Sequence, residues 1–215
     1  MHLGFFVVIT GEAQIMATIG LMGGTFDPIH VGHLRSAWEV SKQLGLDEMH
    51  FIPSAIPVHR PQPVASAEQR LAMVKAAVES ISGWQVNDCE LRRETPSYTV
   101  DTLSELRATM GSEHEFWFLM GSDAFEGLTS WHRWQELLLL TNIAVMVRAG
   151  SHPRCCAELN ELLNGATNES VRFGQVRLVE VTALAISATQ IRAELASNQL
   201  PRFLVSESVL EYIQQ

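Results

Sequence analysis

Short apolar runs alternate with longer segments whose apolar residues recur at helical spacing, from Met16 to the end of the chain. One apolar run, EFWFLM, is continuous in its apolar character, as a buried parallel strand is. Strands are predicted at residues 18–22, 48–52, 84–91, 115–120, 143–148 and 176–181. Helices are predicted at residues 33–44, 67–81, 100–110, 134–140, 189–197 and 206–214. This alternation indicates βαβ units and therefore an α/β fold with a mostly parallel sheet.

The chain is expected to form a single domain over residues 16–215. A boundary in the proline-rich stretch at 53–63 would leave pieces too small to fold alone. That stretch follows a predicted strand, which is where ligands bind in open α/β sheets. Residues 1–15 are expected to be an N-terminal extension. Their apolar segment LGFFVVI follows no Lys or Arg and precedes no clear cleavage site, which disfavours a secretory signal.

Composition excludes several classes of partner. The 15 Lys and Arg residues face 24 Asp and Glu residues, so the net charge is −9. An acidic chain repels polyphosphate, so no nucleic-acid partner is expected, although a small anion can still bind where positive groups concentrate. The three cysteines lack zinc-ligand spacing and indicate reduced thiols in a cytoplasmic protein. No membrane partner is expected, because no apolar run approaches the ~20 residues that cross a bilayer.

The segment GGTFDPIHVGHL directly follows the first predicted strand and opens the first helix. Gly23 and Gly24 let the backbone approach a ligand closely, and free N–H groups at a helix start suit phosphate. His30 and His33 share one face of the first helical turn, from which two imidazoles can donate hydrogen bonds to phosphate oxygens. Spacing alone leaves two other interpretations open: a histidine pair that only caps the helix, and a zinc site. The sequence places no third zinc ligand, and zinc would leave the glycines unexplained.

The segment His30-Val31-Gly32-His33 resembles the His-x-Gly-His signature of the nucleotidyltransferase superfamily, and ISATQIR resembles its second element. The chain resembles bacterial nicotinate-nucleotide adenylyltransferases more closely, over residues 19–213. The segments that carry this resemblance are GGTFDPIHVGHL, PVHRPQP, ELRRETPSYTVDTL, FLMGSDAF, TSWHRW and ISATQIR. Two departures are Arg60, where the family often has Lys, and Arg148-Ala149-Gly150, where relatives often have Arg-Pro-Gly.

The resemblance implies a Rossmann-like, doubly wound sheet with helices on both faces. It also implies an enzyme that joins ATP to nicotinate mononucleotide, giving deamido-NAD and pyrophosphate. The attacking phosphate has a second pKa near ~6, so it is largely dianionic at neutral pH and needs no general base. Catalysis then rests on positioning and on charge stabilisation by His30, His33 and Arg192. Mg²⁺ is implied as the cofactor, held mainly by phosphate oxygens and water.

The binding residues are likewise implied by the resemblance. Those for ATP are Gly23, Gly24, Thr25, Phe26, His30, His33, Asp123, Ser187, Thr189 and Arg192. Those for nicotinate mononucleotide are Asp27, His59, Arg60, Tyr98, Thr99, Trp131 and Arg148. Asp123 also fits a helix N-cap, and Ser187 and Thr189 are both residue types that cap helices.

Two other functions stay open at this point. One is a sister transferase that uses another phosphate acceptor, such as phosphopantetheine or nicotinamide mononucleotide. Pantetheine-type relatives tend to lack the SYTVDTL and TSW segments that this chain has. The other is a nucleotide-sensing or scaffold domain without turnover, which loss of His30, His33 or Arg192 would favour. The enzyme is expected to be a monomer or a weak homo-oligomer.

Overall fold

Six parallel strands form one sheet in the computed structural model, which describes residues 16–55, 62–93, 95–165 and 173–215. The strands are β1 (Thr18–Gly24), β2 (Glu48–Pro53), β3 (Trp84–Val86), β4 (Glu115–Gly121), β5 (Asn142–Val147) and β6 (Val176–Glu180). They lie in the order β3-β2-β1-β4-β5-β6, and each neighbouring pair is parallel. The expected α/β fold with a doubly wound, Rossmann-like sheet is therefore confirmed.

Helices cover both faces of the sheet. They are α1 (Val31–Leu44), α2 (Ala67–Val78), α3 (Thr99–Met110), α4 (Ser122–Glu126), α5 (Trp134–Leu140), α6 (Ala157–Gly165), α7 (Ala188–Ala196) and α8 (Glu207–Ile213). The first two and the last two of these pack on one face, and the four between them pack on the other. In the part of the chain that the structure describes, no helix is long and apolar enough to cross a membrane.

The continuous apolar sequence of β4 follows from the position of that strand in the sheet. Successive side chains of a strand point to opposite faces of the sheet. Trp117 and Leu119 enter the core beneath α1 and α2, whereas Phe116, Phe118 and Met120 enter the core beneath α3 and α5. Because helices cover both faces, the strand has no polar side.

A crevice opens where β1 separates from β4. Strand β1 pairs with β4 as far as Leu21, which lies opposite Phe118. It pairs with β2 further, to Gly24 opposite Pro53. The strand order reverses at this position, because β2 and β3 lie on one side of β1 and the later strands lie on the other. Ligands of open α/β sheets bind in such a crevice, outside the carboxyl ends of the strands.

The third strand is shorter than the predicted 84–91, and this prediction was wrong. Strand β3 ends at Val86, and Asn87 Oδ1 then accepts a hydrogen bond from the backbone N–H of Cys89 at 3.0 Å. Such a local acceptor draws the backbone into a turn instead of a ladder, and a 3₁₀ turn follows at Cys89–Arg92. The predicted helix at 67–81 also ends earlier, at Val78, and the predictions did not include the short helices α4 and α6.

Gly83→Ala should destabilise the protein more than Gly45→Ala. Both glycines have a positive φ, 78° and 65°, so alanine costs about 1–2 kcal/mol at either position. A Cβ at Gly83 would also lie 2.8 Å from the backbone oxygen of Asp47, whereas no described atom lies within 4 Å of one at Gly45. Crowding of this kind adds about 1–3 kcal/mol. Urea unfolding measures both losses, and equal losses would contradict the close approach.

Candidate active site

A cavity of about 270 Å³ lies at the carboxyl ends of β1, β4 and β5. Its polar lining comes from three separate segments: His30 and His33 at the start of α1, Asp123 in α4, and Arg148 directly after β5. Apolar side chains, among them Leu184, complete the wall. A concave site with apolar walls and a few convergent polar groups is the usual form of a small-molecule site.

The turn between β1 and α1 brings its backbone unusually close to its own side chains. A Cβ on Gly24 would lie 2.9 Å from the ring of Phe26, which is 3 % exposed and has a φ of 49°. A Cβ on Gly32 would lie 3.0 Å from Nδ1 of His30. Gly23 differs, since a Cβ there would make only an ordinary contact with Phe118 at 3.7 Å. A Cβ at Gly24 or Gly32 would therefore force the ring of Phe26 or His30 to move, whereas Gly23 has room for one.

His30 and His33 form a stacked pair at the start of α1. Their ring centroids are 3.7 Å apart with an angle of 25° between the planes, and His33 also meets Phe26 edge to face. The backbone N–H of His30, the N-cap residue, donates to Nδ1 of His33 at 3.3 Å. A neutral imidazole that accepts at Nδ1 carries its proton on Nε2. The Nε2–H of His33 is therefore a donor.

Burial sets the protonation state of His30. The residue is 7 % exposed, and desolvation lowers its pKa from 6.5 to about 4. The ring is therefore neutral at physiological pH. Its Nδ1 is buried and has no hydrogen-bond partner among the residues that the structure describes. This atom faces the first turn of α1, since a Cβ on Gly32 would lie 3.0 Å from it.

Arg192 reaches the same turn from α7. Its Nη1 donates to the backbone oxygen of Asp27 at 2.6 Å and lies 3.5 Å from the Asp27 carboxylate, while Nη2 donates to Thr189 Oγ1 at 3.3 Å. Ser187 caps the helix, because its hydroxyl accepts from the backbone N–H of Gln190 at 3.2 Å. The two predicted motifs thus meet in space, although Asp27 and Arg192 are 165 residues apart.

Asp27 uses its carboxylate within the protein. It accepts hydrogen bonds from the backbone N–H groups of Val64 at 2.8 Å and Ala65 at 3.1 Å, in addition to its ion pair with Arg192. The residue is 7 % exposed. These contacts give Asp27 a structural task beside the predicted contact with the mononucleotide.

A second group of predicted residues lies at the start of α3. Tyr98 is the extended N-cap of α3, Thr99 is its first residue, and Trp131 meets Phe118 of β4 with ring centroids 6.3 Å apart. His132, which was not predicted, packs its ring 4.4 Å from that of Tyr98 and so joins the two predicted aromatic positions. The sequence signal that could have identified His132 was its position next to Trp131 in the segment TSWHRW.

The structure corrects one interpretation of Asp123, and two predicted residues are not among those that it describes. The N-cap of α4 is Gly121, so the alternative of Asp123 as an N-cap is wrong; Asp123 lies in the first turn and lines the cavity. His59 and Arg60 lie outside the described residues.

Comparison with known sequences identifies the class. The sequence profile of the family described as Cytidylyltransferase-like matches residues 21–194, which include both motifs of this site. A relative from Pseudomonas putida (strain W619) is 46 % identical over 208 residues, covering 94 % of this chain and 95 % of its own length. One from Aeromonas hydrophila is 46 % identical over 203 residues, covering 92 % and 94 %. Both are named "Probable nicotinate-nucleotide adenylyltransferase". This chain belongs to the nicotinate-nucleotide adenylyltransferase family.

Solved structures share the fold at low sequence identity. The Plasmodium falciparum nicotinic acid mononucleotide adenylyltransferase complexed with NaAD has a TM-score of 0.70 and 18 % identity, and the match covers 92 % of this chain and 95 % of that one. The same protein complexed with APC has a TM-score of 0.65 and 19 % identity, with 92 % and 94 % covered. At these identities the likeness supports the fold alone.

Stability should fall as the pH is lowered from 6.5 towards 4, in part because of His30. In this window His30 binds a proton in the unfolded chain but not in the folded protein, because burial lowers its pKa to about 4. The loss begins near pH 6.5 and reaches at most about 3 kcal/mol below pH 4, because burial penalises the charged ring. Urea unfolding at pH 7.5 and 4.5 should show a smaller loss for His30→Asn than for the wild type. An identical loss in both proteins would contradict the buried neutral ring.

Proposed function

We propose that this protein transfers the adenylyl group of ATP to nicotinate mononucleotide, with release of pyrophosphate and formation of deamido-NAD. The observation that carries the proposal is the contact of Arg192 with Asp27, in the same β1–α1 turn that leads into the His30–His33 pair at the cavity. The family to which the chain belongs carries out this reaction, and neither motif needs a different explanation.

The reaction requires donors and no nucleophile from the protein. An oxygen of the mononucleotide phosphate attacks the α-phosphorus of ATP, a new P–O bond forms, and the bond to the leaving pyrophosphate breaks. The attacking phosphate is largely dianionic already, because its second pKa is near ~6. The Nε2–H of His33 and the guanidinium of Arg192 are suited to stabilise the charge that develops on the phosphoryl oxygens.

We assign the phosphate and adenosine contacts to the β1–α1 turn and α4, which line the cavity, and to α7, which reaches the turn through Arg192. The proposed ATP-binding residues are Gly23, Gly24, Thr25, Phe26, His30, His33, Asp123, Ser187, Thr189 and Arg192. Ser187 contributes mainly by capping α7 and Thr189 by holding Arg192, since their hydroxyls already make those bonds.

We assign nicotinate mononucleotide mainly to the start of α3 and the Trp131 segment, whereas Arg148 lies in the wall of the cavity beside His30. The proposed residues are Asp27, His59, Arg60, Tyr98, Thr99, Trp131 and Arg148. Trp131 offers a face for the pyridine ring, and the backbone N–H groups at the start of α3 suit its carboxylate.

Mg²⁺ is the divalent cation that we propose as cofactor. Within residues 16–55, 62–93, 95–165 and 173–215, no three His, Cys, Asp or Glu side chains are grouped to hold a metal. The cavity lining includes a carboxylate, that of Asp123. Mg²⁺ is commonly bound through one or two carboxylates together with substrate phosphates and water, so this lining fits an ion that enters with the triphosphate. Once bound, the ion would neutralise charge on the leaving pyrophosphate.

The remaining expectations complete the proposal. Residues 16–215 act as one nucleotidyltransferase domain and residues 1–15 are an extension. The enzyme works in the cytoplasm, as a monomer or a weak homo-oligomer, and has no nucleic-acid or membrane partner. The net charge of −9 supports the exclusion of nucleic acid.

Pyrophosphate release should require both ATP and a mononucleotide, and the acid should be preferred to the amide. Donor N–H groups pair with both oxygens of the nicotinate carboxylate, whereas the amide turns its own NH₂ toward one of them. A donor that faces a donor costs about 1–3 kcal/mol, so kcat/KM should favour the acid by at least ~10- to 100-fold. Equal use of both mononucleotides would contradict the assigned substrate.

Trp131→Ala should weaken the use of both mononucleotides and leave their ratio nearly unchanged, because stacking does not distinguish an acid from an amide of the same shape. Trp38→Ala is the matched control, since Trp38 is 44 % exposed on α1 outside the proposed site. A large change in the ratio for Trp131→Ala, or an equal loss in both variants, would remove Trp131 from the pyridine site.

A further inference from the structure

Arg70 is the largest side chain that the described fold buries completely, at 1 % exposure on α2. Its guanidinium donates to two backbone oxygens, from Nη1 to Thr25 at 2.7 Å and from Nη2 to Ala55 at 3.1 Å. Its buried Nε has no partner in the described part of the chain. Arginine is almost never fully buried unless a carboxylate pairs with it, so this position is unusual.

Burying a charged side chain costs free energy, which indicates that the two hydrogen bonds of Arg70 have a structural purpose. Burial lowers the pKa of Arg70, and the charges of Asp27 and Glu68 offset only part of that effect. Apolar residues of similar volume often replace buried charged groups without loss of stability. The arginine therefore offers something that packing alone does not, namely a planar group with diverging donors.

The two oxygens that Arg70 holds belong to neighbouring strand ends. Thr25 begins the turn between β1 and α1, and Ala55 lies two residues after β2. Next to them, the backbone N–H of Ser54 donates to the oxygen of Gly24 at 2.9 Å. The guanidinium thus lies under the backbone from which His30 follows within the same turn, and Asp27 of that turn also holds Arg192.

We propose that Arg70 is a positioning residue for adenylyl transfer: it fixes the β1–α1 turn against the end of β2 and thereby places the phosphate donors. It does not touch either substrate. The inference rests on the proposed function for its catalytic consequence, whereas its structural part, the immobilised turn, does not.

Arg70→Met tests the inference, because methionine fills much of the space and makes neither hydrogen bond. Met73→Ala is the matched control, since Met73 lies on the same helix, is 5 % exposed and contacts the core instead of the turn. Arg70→Lys is the second variant, which keeps the charge and remains informative if Arg70→Met fails to fold. Each protein is assayed well below its own unfolding temperature.

At saturating concentrations of both substrates, kcat of Arg70→Met should fall by about 10²-fold, as small misplacements of catalytic groups do. The lysine variant should fall by less, because one ammonium group replaces the planar fork poorly. The control should keep kcat within about threefold of the wild type. In the His33→Ala background, the additional effect of Arg70→Met should shrink, because the donor that it misplaces is already gone. An Arg70→Met protein that is folded and loses no more kcat than Met73→Ala would overturn the inference.

Amide hydrogen exchange separates this inference from the proposed function. In the protein without substrates, Arg70→Met should lose protection at residues 24–27 and 54–55, and Met73→Ala should not. Unchanged protection in Arg70→Met would overturn the inference whatever the enzyme does. Loss of protection in a protein whose wild type shows no pyrophosphate release would instead contradict the proposed function.

Discussion

The contact between Asp27 and Arg192 holds the site together. One arginine nitrogen donates to the backbone oxygen of Asp27 at 2.6 Å and lies 3.5 Å from its carboxylate. The same carboxylate accepts the backbone N–H groups of Val64 and Ala65. Three parts of the chain that are remote in sequence thereby share one carboxylate: the turn after β1, the segment before α2, and α7. This contact ties Arg192 directly to the turn that leads into the histidine pair.

The electrostatics of the site resolve an apparent conflict between an acidic protein and two anionic substrates. The net charge is −9, so attraction must come from local groups. His30 is buried and neutral, because its pKa is lowered to about 4, and so it avoids the cost of a buried cation. The positive charge is carried instead by Arg192, whose side chain is 32 % exposed, and by Arg148 at the cavity wall. Oriented neutral donors lie inside, and charged donors lie nearer to water.

The sequence predicted those parts of the molecule that depend on local pattern. Apolar runs located the six strands, since parallel strands buried on both faces must be apolar throughout. The histidine motif and ISATQIR located the two segments that meet at β1, because their residue types suit phosphate. The turn at Asn87 was not predicted, since a single side-chain hydrogen bond ended the strand. The burial of Arg70 and the contact of His132 with Tyr98 were not predicted either, because both depend on tertiary neighbours that no spacing reveals.

The configuration of the α-phosphorus in the product shows whether the adenylyl group passes directly between the two bound substrates. One in-line displacement inverts the configuration of the α-phosphorus, whereas a covalent intermediate on His30 or His33 would require two displacements and would retain it. The most direct measurement uses ATP that carries one sulfur at the α-phosphorus in a single configuration, with nicotinate mononucleotide as acceptor. A site that supplies only position and charge stabilisation predicts inversion in the dinucleotide product. Retention would show that a side chain of the protein attacks first, and would contradict the role assigned to the histidine pair.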